Sequence, residues 1–385
     1  MKNAAIYQLF FLSLCLGLFS SCSESTQTSG GIWDETQNTL AVRIRLASGE
    51  PAVAAKVRLV TETAIVEDSA VADESGIARL KRPSQDGFIE VQEKSGVARN
   101  RVLAGDSLLT DTLKKPASLQ GKLVVQTAMP RRLFLFGTSY AAEVSESGAF
   151  RFENIPDGEY AVLSEGESEY VFWETLVADG NAAAEAELAE PSPDSVLVED
   201  FERSVATNRF AALTGASWWF TSSDSLSHVE PESPTDALVR SPESFETSQS
   251  AHYTFVVDTT LADAFALCGF DIGVSFWQDS TTSYDMSQTD SVSFYIRGSG
   301  HVVMQFAGLN EAGEVESWDF EFDIPSSTEW VRVAVPPSGN ETWEKIKSRM
   351  RMITFLSTRN MDLWLDKIVF HGVSAQDLFR DLLGR

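Results

Sequence analysis

Apolar and polar side chains alternate along most of this chain, which is the period of a strand with one buried face. Leu40-Ala41-Val42-Arg43-Ile44-Arg45-Leu46 alternates, and so does Lys56-Val57-Arg58-Leu59-Val60, with turn chemistry between them in Ser48-Gly49-Glu50-Pro51. Asp290 to Arg297, His301 to Phe306, Trp318 to Ile324, Trp330 to Val335, Arg351 to Leu356 and Leu363 to Phe370 repeat the pattern. Gly298-Ser299-Gly300 reads as the end of one such strand. Helical spacing is confined to short pieces. Glu341 to Met350 reads as a helical turn in a crossing loop. Leu378, Leu382 and Leu383, with Ser374 as cap, predict a helix in 374–385. Short strands with regular turn signals predict an all-β chain built from sandwiches and a jelly roll.

The N-terminus departs from this pattern. Lys2 precedes a mostly apolar run from Ala4 to Phe19, which ends in Ser20-Ser21-Cys22 and turns polar at Ser23-Glu24-Ser25-Thr26. A charged start, a short apolar stretch and small residues at the cut make a secretory signal. The run is shorter than the ~20 residues a spanning helix needs. A cysteine directly after the small residues resembles the lipobox of bacterial lipoproteins, with Phe19 where that family usually carries Leu. The resemblance implies cleavage before Cys22 and its acylation, hence a protein held on a lipid bilayer in the bacterial cell envelope, at the outer membrane. Ser23 to Glu35 is Ser-, Thr- and Gly-rich and reads as a flexible tether.

An internal repeat divides the next part. Glu74-Ser75-Gly76 returns as Glu146-Ser147-Gly148, and Asp86-Gly87-Phe88 as Asp157-Gly158-Glu159-Tyr160. A strand-rich repeat of this length predicts one small β-sandwich per copy, over 38–115 and 116–189. Gly49-Glu50-Pro51 with Asp73 to Gly76, and Gly148 to Phe152 with Ile155 to Tyr160, resemble carboxypeptidase regulatory-like (transthyretin-like) domains. That resemblance implies spacers of transthyretin-like fold. Glu190-Pro191-Ser192-Pro193-Asp194 reads as a stiff hinge before a jelly roll over 195–373.

Composition narrows the partners. The 385 residues are 43% hydrophobic and 10% aromatic, enough to bury real cores. The formal charge is −26, and no basic stripe carries interleaved aromatics, which argues against nucleic acid. Of three cysteines, Cys15 leaves with the signal and Cys22 is the lipidation candidate. Cys268 stands alone in an apolar run and reads as a small core residue.

Four places in the last domain resemble the family-eleven carbohydrate-binding modules, and more distantly the galactose-binding-like jelly rolls. They are Leu197 to Glu202, Tyr284 to Ile296, Glu329 to Pro336 and Asp362 to Ile368. The resemblance implies a module that binds polysaccharide, β-glucan above all, without cleaving it. Sugar rings lay their C–H faces on aromatic rings, so the candidates are Trp218, Trp219, Trp277, Tyr284 and Trp318. Successive residues of a strand point to opposite faces. One of Trp218 and Trp219 is then core and the other a platform, with Trp219 favoured as the platform. Trp330 and Trp364 read as core. Where the family often places a tyrosine on the concave face, this chain has Ser357. The resemblance also implies a structural calcium at Asp200, Glu202 and Asp366, a hard-oxygen set of the kind that suits that ion.

Catalytic readings fail. Gly105-Asp106-Ser107-Leu108 spells an esterase block, yet none of His228, His252, His301 or His371 follows an aspartate by three residues. A nucleophile without its base is inert. The expectation is therefore no enzyme. The alternative to a glycan-binding lipoprotein is an envelope scaffold whose jelly roll binds another protein.

Overall fold

The computed structural model describes residues 38–62, 64–166, 169–180, 185–203, 206–215, 217–240, 244–272, 283–337 and 339–384. The expected signal and tether, with Cys22 and Trp277, lie outside the described residues. The chain is almost all β.

Strands β1 (Thr39–Arg45), β2 (Lys56–Thr61), β3 (Val66–Val71), β4 (Ile77–Lys81), β5 (Gly87–Glu93), β6 (Gly96–Val102) and β7 (Leu108–Thr112) form the first sandwich. One sheet runs β4-β1-β7 and the other β3-β2-β5-β6. The second sandwich comprises β8 (Ala117–Val124), β9 (Arg132–Leu135), β10 (Ala141–Glu143), β11 (Ala149–Ile155), β12 (Gly158–Glu165), β13 (Tyr170–Ala178) and β14 (Glu185–Ala189). Its sheets run β11-β8-β14 and β10-β9-β12-β13, the same plan. The sequence repeat is therefore a repeat of topology. Each copy needs its glycine at the same turn. Gly76 has φ +72° and Gly148 φ +85°, and a Cβ there would lie 2.5 Å from Ile44 O or 2.6 Å from Leu123 O.

The jelly roll follows with β15 (Ser195–Glu199), β16 (Trp219–Ser223), β17 (His228–Glu230), β18 (Leu238–Arg240), β19 (Gln249–Val256), β20 (Ala266–Asp271), β21 (Ser291–Leu309), β22 (Val315–Val335), β23 (Met350–Ser357) and β24 (Met361–His371). Gly298 and Gly300 do not end a strand, as the pattern had suggested. They bend β21, which stays paired with β22 on both sides of the bend. Their φ values of +123° and +129° provide the bend, and a Cβ on Gly298 would sit 2.1 Å from Asp362 O. The first part of β21 pairs with β24 and the last with β23, so β21 passes from one layer to the other. One layer holds β24, β19 and β15. The other runs β16-β20-β23-β21-β22. Phe255, Phe270, Phe294, Phe306, Phe355 and Phe370 fill the space between them.

Short helices close the ends. Helix α1 (Ala211–Thr214) leads to β16. Helix α2 (Glu341–Ile346) is capped by Asn340, whose side chain accepts from the Thr342 and Trp343 backbone. The C-terminal segment is two single turns, α3 (Ala375–Leu378) and α4 (Arg380–Leu383), rather than one helix. Ser374 and Asp377 form a capping box at α3. Phe379 between the turns packs edge-on against Phe172 of the second sandwich and Phe210 of the jelly roll. Those two units share one apolar core. Around it Arg209 pairs with Glu174 and with Asp200 (2.9 Å), and Arg203 pairs with Glu159 (3.4 Å) and Glu199 (3.3 Å). Burial works against the Arg209 charge, but Glu174, Asp200 and Glu199 outweigh it.

Candidate functional site

The outward face of the layer β16-β20-β23-β21-β22 presents three parallel rows of side chains. Register fixes them, because side chains directly opposite on paired strands share a face. The first row is Trp218, Asp271, Met352, Ala307 and Ser317. The second is Phe220, Gly269, Thr354, Gln305 and Asp319, and the third is Ser222, Leu267, Leu356, Val303 and Glu321.

The second row is a hydrogen-bonded ladder. Thr354 Oγ1 donates to Gln305 Oε1 (3.4 Å), and Gln305 Nε2 donates to Asp319 Oδ1 (3.0 Å). The chain of donors fixes which way the Gln305 amide points. Burial holds the Asp319 carboxyl above the ordinary value, against the Gln305 bond that favours its charge. Gly269 makes a low point beside Thr354, since a Cβ there would lie 2.5 Å from Ile353 O and 2.7 Å from Thr354 Cγ2. The third row joins Phe265 and Phe220 in an apolar strip of Leu267, Leu356 and Val303, separate from the main core. Thr354, Asp271 and Leu356 are buried although they lie on an outward face, so the face is recessed. At one rim the Trp218 ring is 54% exposed. Beside it burial weakens the Arg351 charge, and Asp271 offsets only part of that effect.

The structure reverses the two adjacent tryptophans. Trp219 is 5% exposed and packs on Phe201 and Phe270, with its Nε1 donating to Glu199 (3.4 Å). Its partner across the ladder is Phe270, a core residue, so Trp219 must face inward and Trp218 outward. Tyr284 is also core. It shares a hydrogen bond with Ser217 (3.2 Å) and meets Phe210 and Phe379 edge-on. Trp318 is half-buried on the inner side, stacked on Phe306 at 5.1 Å. Ser357 is buried and donates to His301 O (2.7 Å). Of the five aromatic candidates, Trp218 alone stands on the recessed face among the described residues.

Gln305, Thr354, Asp319 and Phe220 were missed. Their signal was a polar or lone aromatic residue at alternate positions of otherwise apolar strands, and only register places them in one row.

Trp330 and Trp364 are likewise not core. They lie half-buried on the outward face of the other layer, where Trp364 is stacked by His252 (4.1 Å) and by Arg297 (4.1 Å). Arg297 also lies over Trp330 at 5.3 Å. His252 and Arg297 flank Trp364 on the two neighbouring strands, so both ring faces are covered.

The three expected calcium ligands have protein partners. Asp200 accepts from Arg209. Glu202 accepts from Ser248 N (3.1 Å), Ser248 Oγ (2.7 Å) and Gln249 N (2.6 Å). Asp366 accepts from Phe245 N (3.2 Å) and Lys367 N (2.8 Å). Burial, with help from Asp200 and Glu202, pushes the Asp366 carboxyl up to about 7. Among the described residues no three His, Cys, Asp or Glu side chains are placed to hold one metal ion.

No protein-family model matches this chain, and no curated protein matches it. Among solved structures it is similar to the family 11 carbohydrate-binding module of a cellulosomal cellulase from Clostridium thermocellum, at 15% identity, over 47% of this chain and 96% of that one, with a TM-score of 0.33. A family 11 carbohydrate-binding module from Clostridium thermocellum in complex with a β-1,3-1,4-mixed-linked tetrasaccharide matches at 15% identity, over 47% of this chain and 98% of that one, with a TM-score of 0.33. A xylan-binding domain from Paenibacillus barcinonensis matches at 14% identity, over 49% and 100%, with a TM-score of 0.28.

Proposed function

We propose that this chain is a lipid-anchored envelope protein whose jelly roll binds polysaccharide without cleaving it, β-glucan or another plant-wall glycan. The observation that carries the reading is the recessed face itself. A fixed row of hydroxyl, amide and carboxyl groups runs beside an apolar strip, with one exposed indole at the rim. A sugar chain has the matching character, hydroxyls at its edges and C–H groups on its faces. The two sandwiches, which resemble carboxypeptidase regulatory-like domains, serve as spacers, and Cys22 carries the acyl chains.

Calorimetric titration of the whole chain with soluble mixed-linkage β-glucan and with xylan tests the reading. Binding that weakens in Trp218→Ala and Gln305→Ala supports it. Folded protein that is silent across the panel counts against it. A structural calcium would have to compete with Arg209 and the backbone donors for these carboxylates, and titration with calcium measures that competition. Ser357 favours a second reading, a protein-binding scaffold, because the serine is buried and offers no ring to the face. Capture of one stable envelope partner by glycan-silent protein distinguishes it.

A further inference from the structure

The polar row of the recessed face has a direction. Both of its hydrogen bonds run the same way, from Thr354 Oγ1 to Gln305 Oε1 (3.4 Å) and from Gln305 Nε2 to Asp319 Oδ1 (3.0 Å). A carboxylate only accepts, whereas a protonated carboxyl also donates. While Asp319 is charged, the amide therefore turns its NH2 to Asp319 and its carbonyl to Thr354. The Thr354 proton is used inside the row, since that residue is buried on β23 between Gly269 and Gln305. Gln305 and Asp319 are half-buried and reach the surface. A carboxylate offers about four acceptor sites. Gln305 and Ser317 each bond to this one, which leaves acceptor capacity for a ligand in the groove.

The surroundings hold this carboxyl between its two states. Burial favours the proton most, and Glu321, two residues further along β22 on the same face, adds to it; Gln305 and Ser317 favour the charge. The net effect keeps the proton on Asp319 to a higher pH than on an ordinary aspartate. His301 on β21 meets Glu321 (3.5 Å) and Asp323 (2.9 Å). Arg351 on β23 has Asp271 as its carboxylate neighbour. Helix α2 packs on the other side of β22, where Trp343 meets Trp318 edge-on at 6.0 Å.

We propose that one proton regulates the polysaccharide face: charged Asp319 orders the row and accepts sugar hydroxyls, and its protonation weakens the grip. The inference rests on the polysaccharide reading of this face. A hydroxyl donating to a carboxylate makes a stronger bond than one donating to a neutral group. Protonation also frees the amide to reverse, because a neutral carboxyl can donate to the Gln305 carbonyl. Glycan and proton thus compete for Asp319. Binding is complete above the pH at which the carboxyl titrates and weakens as pH falls through it. By reciprocity, bound glycan moves that titration to lower pH.

Calorimetric titration of the whole chain with soluble mixed-linkage β-glucan and with xylan, repeated from neutral pH downward, tests the proposal. Kd should rise roughly 5–10-fold to an acid plateau, the difference between a charged and a neutral acceptor. Asp319→Asn should bind at the weaker level throughout and show no step, because asparagine keeps a carbonyl for Gln305 but carries no charge. Two-dimensional NMR of the free chain follows the row without any glycan. The Gln305 side-chain amide signals, identified by their loss in Gln305→Ala, should shift with the midpoint of the binding step, and the glycan should move that midpoint to lower pH. The same spectra report that the variants are folded. A parent that binds with a flat profile overturns the proposal and leaves the polysaccharide reading standing. A parent silent at every pH overturns both. A step that persists in Asp319→Asn belongs to another carboxyl of the face, Asp271 or Glu321, and overturns the proposal. Gln305 signals that do not respond to pH overturn it as well, since Asp319 then does not order the row.

Discussion

Asp366→Asn gives the most direct test of the physical account of the jelly roll. Asp366 is fully buried where β24 passes Phe245, and its carboxyl is raised from the ordinary 3.8 to about 7. The unfolded chain releases this proton near the ordinary value, whereas the folded chain keeps it until near neutrality. Between those values the folded state binds more protons, so stability falls as pH rises and levels off above about 7. The full gap, at about 1.36 kcal/mol per pH unit, amounts to up to about 4 kcal/mol. From pH 5 to pH 8 the share is about 3 kcal/mol. Asparagine cannot ionise. It also turns its NH2 toward one of the two backbone donors, which costs roughly 1–3 kcal/mol at every pH. The two effects separate in a double difference. Calorimetric unfolding of parent and variant at pH 5 and pH 8 should show the variant losing about 3 kcal/mol less than the parent over that interval. Equal losses in both would refute the reasoning. Calcium gives a further reading of the same slope. An ion held by Asp366 would drive off the proton and flatten the parent's pH dependence, and would leave the variant's unchanged.

The two neighbouring tryptophans should separate by assay. Trp218→Ala should weaken glycan binding about tenfold through loss of roughly 1–2 kcal/mol of ring contact, with the melting temperature unchanged. Trp219→Ala should instead cost roughly 3–5 kcal/mol of stability, read by denaturant unfolding. Arg209→Ala leaves Glu174 buried without its partner, which should cost about 3–5 kcal/mol and expose the joint between second sandwich and jelly roll to limited proteolysis. Gly148→Ala forces a side chain into φ +85° and against Leu123 O, and should lower the stability of the second sandwich by at least about 1 kcal/mol. Retained stability in either of the last two variants would contradict the packing described.

Period-two alternation determined the class of fold, because a strand with one buried face has no other way to satisfy its side chains. The repeated Glu-Ser-Gly turn marked two like sandwiches for an equally local reason, a backbone angle that glycine alone adopts freely. Face assignment was not local. Trp218 and Trp219 are neighbours of one type, and either could have faced outward. Pairing with Phe270 turned Trp219 inward, and no property of the two residues themselves encodes that pairing. The same holds for Gln305, Thr354 and Asp319, which meet only because three strands align in one register. Trp364 reads as core in the sequence, and the structure instead clamps it between His252 and Arg297 on an outward face. Composition and spacing thus determined what the chain is made of, while long-range strand register decided which groups stand together, because only that register brings distant residues onto a common surface.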